Sequence, residues 1–370
     1  MMTKVVIFMM LYKYVAWNNY AKENLEESKL RYNTPEQFND PFDSFPRIEL
    51  TSKERAGIVK ICEEDDGVSE KFISDMPDNL LLTIFNNMDK SSLNNTKYGV
   101  TCFSKKNDNI LMWSHYANNH TGICLGFEID ENEQFNIQSG IREMLIPIEY
   151  SQDNKRPVFT FQPNNPSYMD AVLKKKGKDW EYEDEYRIRV QSNGEVLFPT
   201  QLHYNPSSLQ KIIFGANMSL KEFIQCQKIM KYRKQNIGMF VAVLNKDLYR
   251  LNIIPLSCDR VRMIENNYEE LRHPKDLFAC EVIKTFAKGK KHNSVLKLWK
   301  KALETIPMYK IMSDYISFIN TPMGDILKII SGREKGGDLL LVQDKQCKEG
   351  SVFLNYMCEK MEYLNLGNKI

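Results

Sequence analysis

Apolar positions recur along this chain with two periods, and the dominant period changes near residue 256. Before that point, short runs of β-branched and aromatic residues are bounded by turn clusters, which predicts strands. Such runs cover 5–14, 98–104, 121–129, 146–150, 181–190, 211–214, 239–243 and 248–255. Helical spacing intervenes at 20–29, over much of 53–89, at 109–118 and at 219–234. In the last of these Phe223, Cys226 and Met230 fall on one stripe. In the first, Leu25 points to the core and Leu30 falls just past the end. The interval 31–46 is rich in turn signals, including Asn39-Asp40-Pro41-Phe42-Asp43. Strands interrupted by helices predict an α+β domain over 1–256, with a mixed, mainly antiparallel sheet and flanking helices.

Beyond 256 the spacing turns helical, at 274–288, 294–305, 310–320 and 351–364. Thr321-Pro322 reads as an N-cap followed by Pro at the first helical position. Residues 257–370 are therefore expected to form a helical extension, suited to binding a protein partner or to self-association.

One run departs from ordinary patterning. From Trp180 to Val190, a two-residue period puts Trp180, Tyr182, Tyr186, Ile188 and Val190 on one face, with Asp184 the exception. The other face carries Glu181, Glu183, Glu185, Arg187 and Arg189. Carboxylates beside guanidiniums can grip a ligand, and they can equally form a solvated charge ladder; the pattern weighs the two evenly.

Composition narrows the field. With 370 residues, 42% of them hydrophobic, the chain exceeds the roughly 250–300 residues at which a single core stops growing, so two units are expected. Fifty Lys and Arg stand against forty-eight Asp and Glu, so no global field points to nucleic acid or membrane. The eight cysteines include no CxxC pair, and Cys102 and Cys124 sit in apolar runs as small buried hydrophobes. The apolar opening lacks a small-residue cleavage site and reads as a buried strand, so a cytoplasmic protein is expected. Dinucleotide-binding glycine motifs, Walker loops, nucleophile elbows and HExxH are absent from the sequence.

Other chemistry-bearing residues have plain readings beside the functional ones. Trp113-Ser114-His115-Tyr116 could stack a planar ring, but Trp113 fits better as a core anchor. Asn39 and Asp40 could face a cleft, but Asx residues before Pro more often close turns. His115 and His120 lack a third ligand, so no metal site is expected there. Gly122 is expected to let the chain turn from helix into strand. The run Lys174-Lys175-Lys176-Gly177-Lys178 reads as a solvated helix end, or as an electrostatic rim for a phosphorylated ligand. A second basic group, from Lys288 to Lys301, lies on the extension.

The order of four motifs carries a resemblance. Leu11-Tyr12-Lys13-Tyr14 is followed by Phe38-Asn39-Asp40-Pro41-Phe42-Asp43. Then come Cys102-Phe103-Ser104 with Met112-Trp113-Ser114-His115-Tyr116, His120 and Gly122, and finally Trp180-x-Tyr182-Glu183-x-Glu185-Tyr186-Arg187. Together they resemble the bacterial domain-of-unknown-function family 2971 over about residues 10–256. A more distant resemblance is to ADP-ribosyltransferase-like folds, in which an early His, Arg or Tyr holds NAD, a middle Ser or Tyr packs the nicotinamide and a late Glu binds the ribose. Here the first strand offers Tyr12, Lys13 and Tyr14, with no His or Arg.

That resemblance implies NAD as a co-substrate, with a nucleic acid or protein as acceptor, in a toxin or phage-defence effector. Glu185 would stabilise the oxocarbenium charge, with Glu183 as acceptor-side base and His115 as a further catalytic group. Tyr12, Lys13, Tyr14, Asn39, Asp40, Trp113, Ser114, Tyr116 and Arg187 would bind the cofactor, Arg187 on the pyrophosphate. Two alternatives stay open. One is a metal-dependent phosphodiesterase or nuclease using Asp40, Asp43, Glu183 and Glu185. The other is a non-catalytic sensor or interaction module.

Overall fold

The computed structural model describes residues 8–262, apart from 45–46, 67–74, 79, 82–97, 131–132, 154, 156–157, 161–171, 194–195, 234–235, 246 and 259–260. Beyond 262 it describes residues 297, 301 and 304. The helices expected from 274 onward, and the basic group on them, therefore lie outside the described residues apart from those three.

The order of elements is β1 (Phe8–Val15), α1 (Asn19–Glu26), β2 (Lys29–Tyr32), a 3-10 turn (Pro35–Gln37), β3 (Arg47–Glu49) and α2 (Ser52–Asp66). Then follow β4 (Tyr98–Ser104), α3 (Ile110–Tyr116), β5 (Ile123–Asp130), β6 (Ile141–Pro147), β7 (Glu149–Tyr150), β8 (Val158–Thr160) and β9 (Lys175–Lys176). A 3-10 helix (Lys178–Glu183) leads into β10 (Glu185–Ser192), β11 (Thr200–His203) and β12 (Leu209–Phe214). The described elements end with α4 (Leu220–Tyr232), β13 (Gly238–Leu244) and β14 (Leu251–Pro255). Eight strands form one sheet in the order β14-β13-β12-β5-β1-β4-β10-β6. The pairings of β4 with β1 and β10, of β10 with β6 and of β13 with β14 are antiparallel, while β12 pairs β13 in parallel. The fold is α+β, with a mixed and mainly antiparallel sheet. No helix among the described residues is long and apolar enough to cross a membrane.

Two compact units make up this chain, and both are discontinuous in sequence. The first contains the chain through Lys13, Glu27–Lys106 and Phe127–Leu209; the second contains Tyr14–Glu26, Asn107–Gly126 and the chain from Gln210. In the first unit, Phe103, Phe127, Phe135 and Tyr204 pack edge-to-face and stacked at 5.1–5.9 Å, all of them buried. In the second, α4 begins at Ser219, whose hydroxyl accepts from the Glu222 N–H while Glu222 reaches back to the Ser219 N–H. Its buried side includes Leu220, Phe223, Ile224 and Cys226; of the stripe that the spacing predicted, Phe223 and Cys226 are buried and Met230 is half-buried.

Several boundaries differ from the periodicity. The helix expected over 20–29 ends at Glu26, and Leu30 belongs to β2, which pairs with β11. Strands of two to four residues have too few positions to show a period, so β2, β3, β7, β8, β9 and β11 leave no clear pattern. Gly122 is required by a close approach rather than a turn, since a Cβ there would lie 2.1 Å from the Val15 carbonyl oxygen.

Candidate active site

The expected strand over 181–190 is two elements. Residues 178–183 wind into the 3-10 helix, Asp184 takes a left-handed conformation (φ 46°), and β10 begins at Glu185. Short polar residues such as Asp tolerate that conformation. The kink aims both Glu183 and Glu185 at Lys176 on β9, which no regular strand reading anticipates.

The acidic and basic side chains of this region are buried, which excludes the solvated ladder for them: Arg187 is 0% exposed, Glu183 3%, Glu185 4%, and Asp43 and Lys176 7%. Lys176 Nζ donates to Glu183 Oε2 and, at 2.8 Å, to Glu185 Oε2, and lies 3.5 Å from Asp43 Oδ2. Its ammonium stands 5.0 Å above the Trp180 ring. Arg187 Nε donates to Glu185 Oε1 at 2.8 Å and Nη2 to Glu185 Oε2 at 3.1 Å. Nη1 reaches Asp43 Oδ1 at 2.8 Å and the Leu173 carbonyl at 3.0 Å, and Nη2 also donates to Asp43 Oδ2. Phe38 lies 5.0 Å from the guanidinium carbon and packs with Val100, Cys102, Ile146 and Leu173 over this face.

Electrostatics follow from this geometry. Burial alone would raise the Glu185 pKa, but the Arg187 guanidinium and Lys176 ammonium outweigh it and hold the carboxyl at about 2. Burial would likewise neutralise Lys176, but Glu185 and Glu183 keep it charged with a raised pKa. The Tyr150 hydroxyl, pushed up by burial, accepts the Glu185 backbone N–H at 2.8 Å.

Register supplies the strongest alignment. Tyr12 on β1 and Glu185 on β10 both stand directly opposite Ser104 on β4. Directly opposite residues share a face, so Tyr12, Ser104 and Glu185 form one cross-strand row. All three are buried. The Ser104 hydroxyl accepts from the Lys106 N–H at 3.0 Å.

The remaining expected site residues have other placements. Arg187 does not offer a fork to a pyrophosphate, because its five N–H donors all have protein acceptors. Glu183 is held against an ammonium, a poor setting for a base. Lys13 donates to the Cys102 carbonyl at 3.0 Å, and burial lowers its pKa. Asp40 closes its own turn, accepting the Phe42 N–H at 2.9 Å, and Asn39 beside it is exposed. Of the basic run, Lys176 is in the cluster, while Lys174, in the turn that follows the helical residues Val172 and Leu173, and Lys175 pair with Glu149 at the surface.

The others belong to the second unit. Trp113 is fully buried, edge-on to Tyr14 at 5.2 Å and donating to the Asn107 carbonyl at 2.9 Å; it is a core residue. Ser114 Oγ lies 2.9 Å from the Ile110 carbonyl and 3.1 Å from His120 Nε2. His115 is exposed and touches Tyr116 edge-on at 6.3 Å.

Residues 112–188 match the model of a family described as "Protein of unknown function (DUF2971)". No curated protein and no solved structure matches the chain. The matched stretch runs from Met112 on α3 to Ile188 on β10, so it takes in Met112-Trp113-Ser114-His115-Tyr116, His120, Gly122 and the Trp180–Arg187 motif, and over that stretch the chain is similar to the DUF2971 family.

Proposed function

We propose that this domain is an ADP-ribosyltransferase-like enzyme that cleaves the nicotinamide–ribose bond of NAD, with Glu185 as the carboxylate that meets the developing positive charge. The observation that carries this reading is the row Tyr12–Ser104–Glu185 on adjacent strands. It supplies an early Tyr, a middle Ser and a late Glu side by side, the set that the distant resemblance implies. The middle group is then Ser104 and not Ser114.

Chemically, the C–N bond breaks with its electron pair leaving on nicotinamide, the ribose carbon becomes an oxocarbenium centre, and a nucleophilic group of the acceptor, or water, then bonds to that carbon and gives up its proton to solvent. An ionised carboxylate stabilises that charge in a low-dielectric setting. With its pKa near 2, Glu185 is ionised at neutral pH but is a weak base, so its role is electrostatic.

Two rivals fare less well. The carboxylates of Asp43, Glu183 and Glu185 do converge, as a metal centre would need, but Lys176 occupies their meeting point. Among the described residues no three His, Cys, Asp or Glu side chains form a group able to hold a metal ion. A non-catalytic module would also keep a buried, self-satisfied cluster, and that reading stands if the test fails.

The test is calorimetric titration of the full chain with NAD, followed by nicotinamide release for wild type and Glu185→Gln. Binding with release reduced about 10²–10³-fold in the variant is expected. Equal release by both proteins, or none by a folded wild type, would sink the enzyme reading.

A further inference from the structure

We propose that Asp43 is a positioning residue for Glu185: it grips the end of the Arg187 guanidinium, and Arg187 in turn holds the Glu185 carboxylate at the end of the Tyr12–Ser104 row. This rests on Glu185 being the reacting carboxylate. It assigns a purpose to the Asn39-Asp40-Pro41-Phe42-Asp43 motif, whose turn geometry alone gives it none.

The guanidinium is shared edge by edge. Asp43 takes the Nη1–Nη2 edge and Glu185 takes the Nε–Nη2 edge, with the Leu173 carbonyl on the remaining Nη1 proton. A planar fork bound on two edges has no rotational freedom left. Asp43 is itself fixed from its own turn. Its N–H donates to the Asp40 carbonyl at 3.1 Å, and its Oδ1 accepts from Ser44 Oγ at 3.0 Å. The link therefore runs from a turn to the head of β10 across 144 residues of sequence.

Several charged or titratable groups surround Glu185. They are Lys13 on β1, Cys102 on β4, Tyr150 on β7, Lys176 on β9, Glu183 on the 3-10 helix, Arg187 on β10 and Asp43 on the turn. Their number makes the sign of a titration change informative. If Asp43 acts only as a nearby charge, neutralising it removes repulsion and moves the Glu185 midpoint down. If Asp43 holds Arg187 in place, its loss frees the guanidinium and moves the midpoint up, into the ordinary carboxylate range.

The experiment follows the ¹³C-carboxyl signal of Glu185, assigned with Glu185→Gln, from pH 7 to 3.5 in the full-length wild type and Asp43→Asn. The wild-type signal is expected to stay ionised throughout, and the Asp43→Asn signal to titrate within the window. An unchanged or lowered midpoint in a folded variant would overturn the proposal. Should Asp43→Asn not fold, Arg187→Lys keeps the charge but cannot span two carboxylates; a rise is again expected, and its absence overturns the proposal.

Nicotinamide release separates this inference from the reading beneath it. Asp43→Asn should lower kcat roughly hundredfold with KM near wild type. A raised KM with kcat retained would mean that Asp43 touches the ligand and does not merely position Glu185. If wild type releases no nicotinamide, the proposed function fails while the carboxyl titration still decides the role of Asp43.

Discussion

The head of β10 and the helix α3 both carry chemistry-bearing residue types, and they differ in where their polar groups lie. At β10 the apolar face and the charged face are both buried, so Glu185, Arg187, Asp43 and Lys176 bond one another and not water. On α3 the burial is one-sided: Met112 and Trp113 are core, while His115 is exposed and Ser114 half-buried. A charged group buried beside its partners is costly to keep, whereas a polar group on an exposed helix face costs little. The lesson is that chemistry-bearing residue types at suggestive spacings become a site only where the fold takes them out of water together.

The sharpest way to break this contrast is to remove the hub. Arg187→Met leaves the carboxylates of Asp43 and Glu185 buried with Lys176 as their remaining counter-charge. Breaking such a cluster should cost about 3–5 kcal/mol in urea unfolding. A loss below about 1 kcal/mol, the range of exposed ion pairs, would mean that the cluster is hydrated and no different in kind from α3.

A milder test uses acid. Burial raises the Glu185 pKa but Arg187 and Lys176 pull it down to about 2, from an ordinary 4.5. Its folded pKa is thus depressed: its contribution is full above about pH 4.5 and is lost as pH falls toward 2. A depression of this size is worth on the order of 3 kcal/mol at neutral pH. Urea midpoints measured between pH 6 and 3 should fall more steeply for wild type than for Glu185→Gln. Parallel slopes would remove Glu185 from the acid response.

How much of this was legible in the sequence follows from the same contrast. The strand at Tyr98–Ser104, the helix after Asn109 and the capped helix after Ser219 could be read because each is long enough to show its period and its cap. Glu185 and Arg187 could be singled out because they alternate with aromatics. Lys176 could not, since one lysine in a run of lysines reads as solvated, and only the left-handed turn at Asp184 brings the two glutamates to it. Asp43 is legible as the end of a turn motif and as one member of a hypothetical metal cluster, and neither reading points to Arg187. Ser104 stands out less than Ser114 in the sequence because strand register, which aligns it with Tyr12 and Glu185, depends on pairing across 81–92 residues and leaves no local mark.

The smallest expected effect sharpens the comparison from the other side. Ser114→Ala removes the contact to His120 Nε2 at 3.1 Å and the bond to the Ile110 carbonyl at 2.9 Å. The first is a half-buried hydrogen bond, worth about 0.5–1.5 kcal/mol. The second is a hydroxyl bonding back to its own helix, which slightly destabilises the helix, and alanine is the better helix former by a few tenths of a kcal/mol. Burial lowers the His120 pKa, so its ring is neutral at pH 7 and loses no ion pair when the hydroxyl goes. The terms oppose one another, and the net change in urea unfolding should stay under about 1 kcal/mol, with nicotinamide release unchanged. A variant as stable as wild type that nonetheless loses release would move the chemistry to α3, because no loss of core packing could then account for it.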